Sequence, residues 1–154
     1  MRSHMWRGLA AGFIGTGAMS GASLTIRRLV VPPGEVGKTH YEHVAEWAMQ
    51  RIRPGASIDP ALRCRVGEMM HFGFGALGGA VFGEIIRRMG KQPDARAGLA
   101  LGTTMWAAAF SGYMPALGIT GSLWEWTNYE RARTLAAHAA YGVTTALVLR
   151  ALRS

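Results

Sequence analysis

Cysteine occurs once in the chain, at Cys64. No internal disulfide can form, and no zinc or iron–sulfur site can be built from cysteines within one copy. Charge is scarce too: Asp, Glu, Lys and Arg make up 17% of the 154 residues, and the nine acidic residues leave few groups for acid–base catalysis. Walker loops, nucleophile elbows and zinc-protease signatures are all missing. The first apolar run lacks a small-residue cleavage site, which argues against a removed signal peptide. These absences point away from a soluble enzyme.

What is present is apolar and small. Hydrophobic residues reach 49%, with 21 glycines, nine methionines and five tryptophans. The charges gather between the apolar stretches instead of spreading through them, as a bilayer enforces. Formal net charge is +8, which by itself would raise nucleic acid as a partner. The basic residues, however, stand at the ends of apolar segments: Arg27 and Arg28, Arg87 and Arg88, Arg131 and Arg133, Arg150 and Arg153. Snorkelling to lipid head groups accounts for that placement, and no nucleic-acid partner is expected.

Four spans can be read along the chain, at about 8–28, 66–87, 97–118 and 132–150. No residue from Gly8 to Ile26 is charged, and Pro32 and Pro33 prevent the first helix from continuing. Met1 to His4 reads as a remnant of recombinant expression ahead of a native start at Met5. Thr39-x-x-Glu42 is a capping box that opens an amphipathic helix over 39–53, lying on the membrane surface or packed as a loop helix on the ends of the bundle. Asp59-Pro60 starts the second long helix. Its span is interrupted by Glu68 and Glu84, which must sit at head-group level or face the bundle interior. Ala97 to Leu123 is uncharged, with Pro115 predicting a kink in its second half. Thr127-x-x-Glu130 is a second capping box and opens the last helix. The fold expected is all-α: one transmembrane domain of four helices from two repeated hairpins, plus the surface helix.

The repeat is carried by Arg7-Gly8-Leu9-Ala10 beside Arg96-Ala97-Gly98-Leu99-Ala100, and by His71-Phe72-Gly73-Phe74-Gly75 beside His138-Ala139-Ala140-Tyr141-Gly142. A pseudo-twofold axis along the membrane normal would set His71 and His138 at equivalent depth. The compact turn with Arg87, Arg88, Lys91 and Arg96, together with Arg7, Arg150 and Arg153, places both termini on the cytoplasmic side.

Ionisable groups inside a span are costly, so His71 and His138 are the leading site candidates. As a pair they offer axial ligands for a haem b, ligands for a divalent metal, or a proton relay with Glu68. Gly75 and Gly142, each four residues further on, would leave room above the rings for a porphyrin or for the opposing helix. Glu68 would pair with an arginine or accept a hydrogen bond from His71, and di-iron chemistry is disfavoured because Glu84 is the only other carboxylate in these spans. Gly75, Gly79 and Gly83 form a ladder that lets backbones touch, as do Gly8/Gly12, Gly17/Gly21 and Gly98/Gly102. His40, His43 and Glu46 read as the exposed polar face of the surface helix in preference to a metal site. Trp6, Trp47, Trp124 and Trp126 fit an interfacial belt, with Trp106 inside the third span.

The stretches Ser111-Gly112-Tyr113-Met114-Pro115, Leu117-Gly118-Ile119-Thr120 and Trp124-Glu125-Trp126-Thr127-Asn128-Tyr129-Glu130, leading into His138, resemble the YagU-like family of bacterial inner-membrane proteins. Helix two, with His71 ahead of Phe74 and the glycine ladder, is similar to that family's other histidine helix. The likeness covers about two thirds of the chain; the first connection is shorter here and the first span matches poorly. The resemblance implies a multi-span protein of the bacterial inner membrane without a defined activity. It marks His71, His138, Pro115, Trp126 and Glu130.

The expected function is non-catalytic: association within the lipid bilayer, as a homo-oligomer or as an accessory subunit of a membrane complex. A bis-histidine haem protein or electron carrier is a second class, and a small transporter or proton pathway a third.

Overall fold

The computed structural model describes residues 2–30 and 38–153, and every regular element among them is helical. They are α1 (Arg2–Val30), α2 (His40–Ile52), α3 (Pro60–Arg88), α4 (Ala95–Ala107), the single turn α5 (Met114–Ala116) and α6 (Asn128–Ala151). A π-helical segment, Ala108–Tyr113, joins α4 to α5, and a 3₁₀ turn, Leu123–Glu125, precedes α6. Two helices, α1 and α3, are long and apolar enough to cross a membrane. Pro32 and Pro33 lie outside the described residues.

The helix starts follow local chemistry. Thr39 and Glu42 cap α2 reciprocally, the Thr39 amide donating to the Glu42 carboxylate at 2.8 Å. Thr127 and Glu130 do the same for α6, again at 2.8 Å. At α3, Asp59 accepts from the Ala61 and Leu62 amides, and Pro60 costs nothing in a turn whose N–H groups have no helical partner. After α3, Gly90 takes φ 65°, the left-handed geometry that reverses the chain into α4.

The kink expected near Pro115 takes a definite form. Proline has no N–H and its ring crowds the carbonyl four residues back, at Ser111. The preceding turn opens into π-helix, and Gly112 absorbs the misfit at φ −115°, ψ −105°.

α1 packs against α3 and α6, α4 against α6, and α2 against α3. Both hairpin pairs are therefore in contact, with α1 and α6 joining them. The α1–α3 seam is backbone on backbone: a methyl on Gly79 would come 2.6 Å from the Gly12 Cα, and one on Gly12 would strike the Gly75 carbonyl. The α4–α6 seam repeats this, with Gly98 against Gly142 and Gly102 against the His138 carbonyl. Gly17 and Gly21 share the same spacing yet face open space, so the packing role expected of them is not theirs.

These contacts also shift the internal repeat. When Gly8 and Gly12 are matched to Gly98 and Gly102, His138 falls opposite Gly75, not opposite His71. By these contacts the residue of α3 that corresponds to His138 is Gly75, one helical turn after His71.

Small and hydroxyl-bearing residues line the helix seams, two bulkier clusters fill the space on either side, and many large apolar side chains face outward. Thr16, Tyr141 and Thr145 are buried at mid-bundle, between a cluster of Ala11, Phe82, Ile86, Ala146 and Leu149 and another of Ala109, Phe110 and Met114. Meanwhile Phe74, Leu77, Val81 and Ile85, which share one stripe of α3, are 50–60% exposed. Glu84 stays at the end of that helix, gripped by Arg87 at 2.7 Å and Arg88 at 2.8 Å.

Candidate functional site

The start of α2 wedges between the two histidine-bearing helices. His40 and Tyr41, its first two residues, turn to different partners. Tyr41 stacks on His71 at 5.2 Å, and its backbone lies where a methyl on Gly67 of α3 would clash at 2.8 Å. His40 is parallel to Trp126, with ring centroids 4.9 Å apart and 4° between planes, and meets the edge of Phe110 at 5.0 Å. Phe110 in turn packs edge-on against His138 at 5.6 Å. One aromatic layer thus ties α2, the π segment, the 3₁₀ turn and α6 together.

Each imidazole has its own polar environment. His138 donates from Nδ1 to the Thr134 carbonyl, 2.8 Å away and one turn back on α6, which fixes its tautomer. The Thr134 hydroxyl accepts from the Trp106 indole at 3.0 Å, so Trp106 belongs to this layer. His71 Nε2 lies 3.4 Å from the Ser20 hydroxyl of α1. His40 Nε2 is buried without a hydrogen-bond partner. Burial, reinforced by the Arg133 and His43 charges, holds the His40 imidazole down at about 4, against the opposing pull of Glu130. His40 therefore sits as a neutral ring at neutral pH.

Supporting contacts fix the wedge. The Trp47 indole donates to the Leu117 carbonyl at 3.0 Å, across the turn that follows α5. Glu42, already capping α2, lies 3.7 Å from Arg63 of α3. Arg131 donates to the carbonyls of Leu123 and Trp124, holding the 3₁₀ turn that presents Trp126.

Several expectations need correction. A porphyrin does not fit beside Gly75 or Gly142: the first notch is filled by the Thr16 side chain and the ring of Tyr141, the second by the α4 backbone at Gly98 and Gly102. His71 and His138 gain no third protein donor for a metal, because no three His, Cys, Asp or Glu side chains converge among the described residues. Glu68 neither pairs with an arginine nor accepts from His71; its one hydrogen-bond contact among the described residues is the Cys64 thiol at 4.0 Å. No hydrogen-bonded chain links Glu68, His71 and His138. Trp126 and Trp47 are packing and anchoring residues, whereas Trp6 and Trp124 are exposed.

His40 is the residue that the sequence reading assigned to the wrong face. The signal was available: His40, Val44 and Trp47 fall at i, i+4 and i+7, one stripe of the helix. Val44 packs on the Ala109, Phe110 and Met114 cluster, which draws His40 inward with it.

No family model matches the chain, and no curated protein or solved structure matches it either.

Proposed function

We propose that this chain is a small multi-pass membrane protein that works by association, as a homo-oligomer or as an accessory subunit of a larger membrane complex. One observation carries the reading: bulky apolar side chains stand outward along α1 and α3 while glycine, alanine and threonine line the seams. In water that arrangement leaves a large apolar surface bare; against lipid tails it costs nothing. The uncharged stretch Ala97–Leu123 and the apolar middle of α6 supply the further spans.

The bacterial inner membrane is the compartment that the YagU-like motifs point to. Both termini belong on the cytoplasmic side, with the compact Arg87, Arg88, Lys91, Arg96 turn. The Arg153 guanidinium, which donates to the Gly83 carbonyl at 2.8 Å, ties the end of α6 to that same end of α3. Association fits better than catalysis because two of the most buried polar side chains are spent on packing: Tyr141 donates to the Gly75 carbonyl at 2.7 Å, and Thr16 to the Gly12 carbonyl at 2.8 Å.

Extraction of cell membranes with mild detergent, followed by mass measurement of the intact complex, tests this. The expected result is a defined assembly heavier than one chain. A strict monomer that carries no other subunit would overturn the association reading. A stable, monodisperse species in buffer without detergent would overturn the membrane assignment itself.

A further inference from the structure

On the outer surface, one face of α3 and Phe13 of α1 line a shallow groove of about 610 Å³. Phe13, Met69, Phe72, Gly73 and Ala76 line it, and Arg65 and Glu68 stand at one end. Phe13 and Phe72 pack together at 4.8 Å, while Gly73 presents open space with nothing within reach of a methyl.

Three features of the groove bear on its occupant. From Arg65 to Ala76 the helix rises about 16 Å, half of a hydrocarbon core of about 30 Å. The apolar part of the lining, Met69 to Ala76, takes about 10 Å of that rise, most of the depth of a single leaflet, and begins just past the charged end. Arg65 and Glu68, three residues apart on one helix, are spaced to pair with each other, yet no ion pair joins them. Arg65 makes no ion pair or hydrogen bond to any described residue, and Glu68 has only the distant Cys64 thiol. One cation and one anion are thus left side by side at one end of an open apolar groove.

We infer that this groove binds one phospholipid with a phosphate and a primary ammonium in its head group, a phosphatidylethanolamine, its acyl chain along Phe13, Met69, Phe72, Gly73 and Ala76. Arg65 takes the phosphate through a charge-assisted fork, and Glu68 accepts from the ammonium. A purely anionic head group satisfies Arg65 but faces the Glu68 carboxylate. A choline head group carries the positive charge but has no N–H to donate. The inference rests on the membrane reading above, since the occupant is drawn from the surrounding leaflet.

The test uses the whole chain in lipid nanodiscs made of equal parts phosphatidylethanolamine and phosphatidylcholine, released into the gas phase for mass measurement of retained lipid. The expected result is one phosphatidylethanolamine held in preference to phosphatidylcholine. Arg65→Gln should lower retention of both about tenfold, the worth of one charge-assisted hydrogen bond. Glu68→Gln should keep a bound lipid but abolish the preference. Gly73→Leu, whose Cβ meets nothing within 4 Å and whose side chain occupies the groove, should evict the lipid; circular dichroism matching the parent chain shows that the fold is kept. Equal retention of the two lipids by the parent chain, or retention indifferent to all three substitutions, overturns the site while leaving a disc-embedded protein and the membrane reading intact. Failure to enter the discs at all overturns both.

Discussion

His40 and Trp126 lie ring on ring, 4.9 Å apart and 4° from parallel, though one opens the surface helix and the other ends the 3₁₀ turn. The stack is one of the contacts that fasten α2 to the rest of the molecule, and it is made by a side chain that titrates. Protonating His40 would put a cation at the positive end of α2, beside Arg133 and His43, with only Glu130 to offset it.

The docking of α2 should therefore weaken in acid. The His40 pKa is depressed on folding, from 6.5 to about 4, so its contribution is complete above about pH 6.5 and is lost as pH falls toward 4. By linkage the full effect is about 3 kcal/mol, discounted for the partial exposure of the ring. Hydrogen exchange of the α2 amides across that pH range should show faster opening in acid, and His40→Phe should flatten the profile. An α2 whose exchange protection is the same at pH 7 and pH 4.5 would sink the idea.

Glycine seams and open glycines should respond in opposite directions. Gly12→Ala drives a methyl into the Gly75 carbonyl and should cost about 1–3 kcal/mol, as overpacking does. Gly17→Ala meets nothing and should be neutral or stabilise by up to about 1 kcal/mol, since alanine is the better helix former. Thermal unfolding in a single mild detergent measures both; a loss of similar size in the two variants would contradict the seam.

Tyr141→Phe removes the phenol that donates to the Gly75 carbonyl and little else. That carbonyl keeps its own helical partner, so the expected cost is about 1 kcal/mol. Unchanged unfolding would mean that the bond contributes nothing net.

Protein produced in cells supplied with haem should purify without a Soret band, because Thr16 and Tyr141 at one notch and the α4 backbone at the other leave no slot for a macrocycle. A band abolished by His71→Ala or His138→Ala would reverse that conclusion.

What could be read from the sequence was local. Thr39 with Glu42, Asp59 with Pro60 and Thr127 with Glu130 each declare a helix start within four residues, and all three stand where they were expected. The disruption before Pro115 was legible for the same reason, though not that it becomes a π turn. Partner choice was not legible. Gly8/Gly12 and Gly17/Gly21 have identical spacing, and only the phase of α1 against α3 and α6 decides which pair meets a backbone and which meets open space. His40 was misread because a histidine beside His43 and Glu46 looks polar, while the stripe through Val44 and Trp47 decides its direction. The notches beside Gly75 and Gly142 suit either a porphyrin or a neighbouring helix by sequence, and only the packing of α1, α4 and α6 shows that helices fill them.

A core made of side chains can trade volume between neighbours, one shrinking as another grows. Where Gly12 faces Gly79 and Gly98 faces Gly142, both members of each pair already carry only hydrogen, so no second substitution can compensate a first. Drift at these four positions is closed from both directions, and repair of a lesion there must come from the helices moving apart as whole bodies.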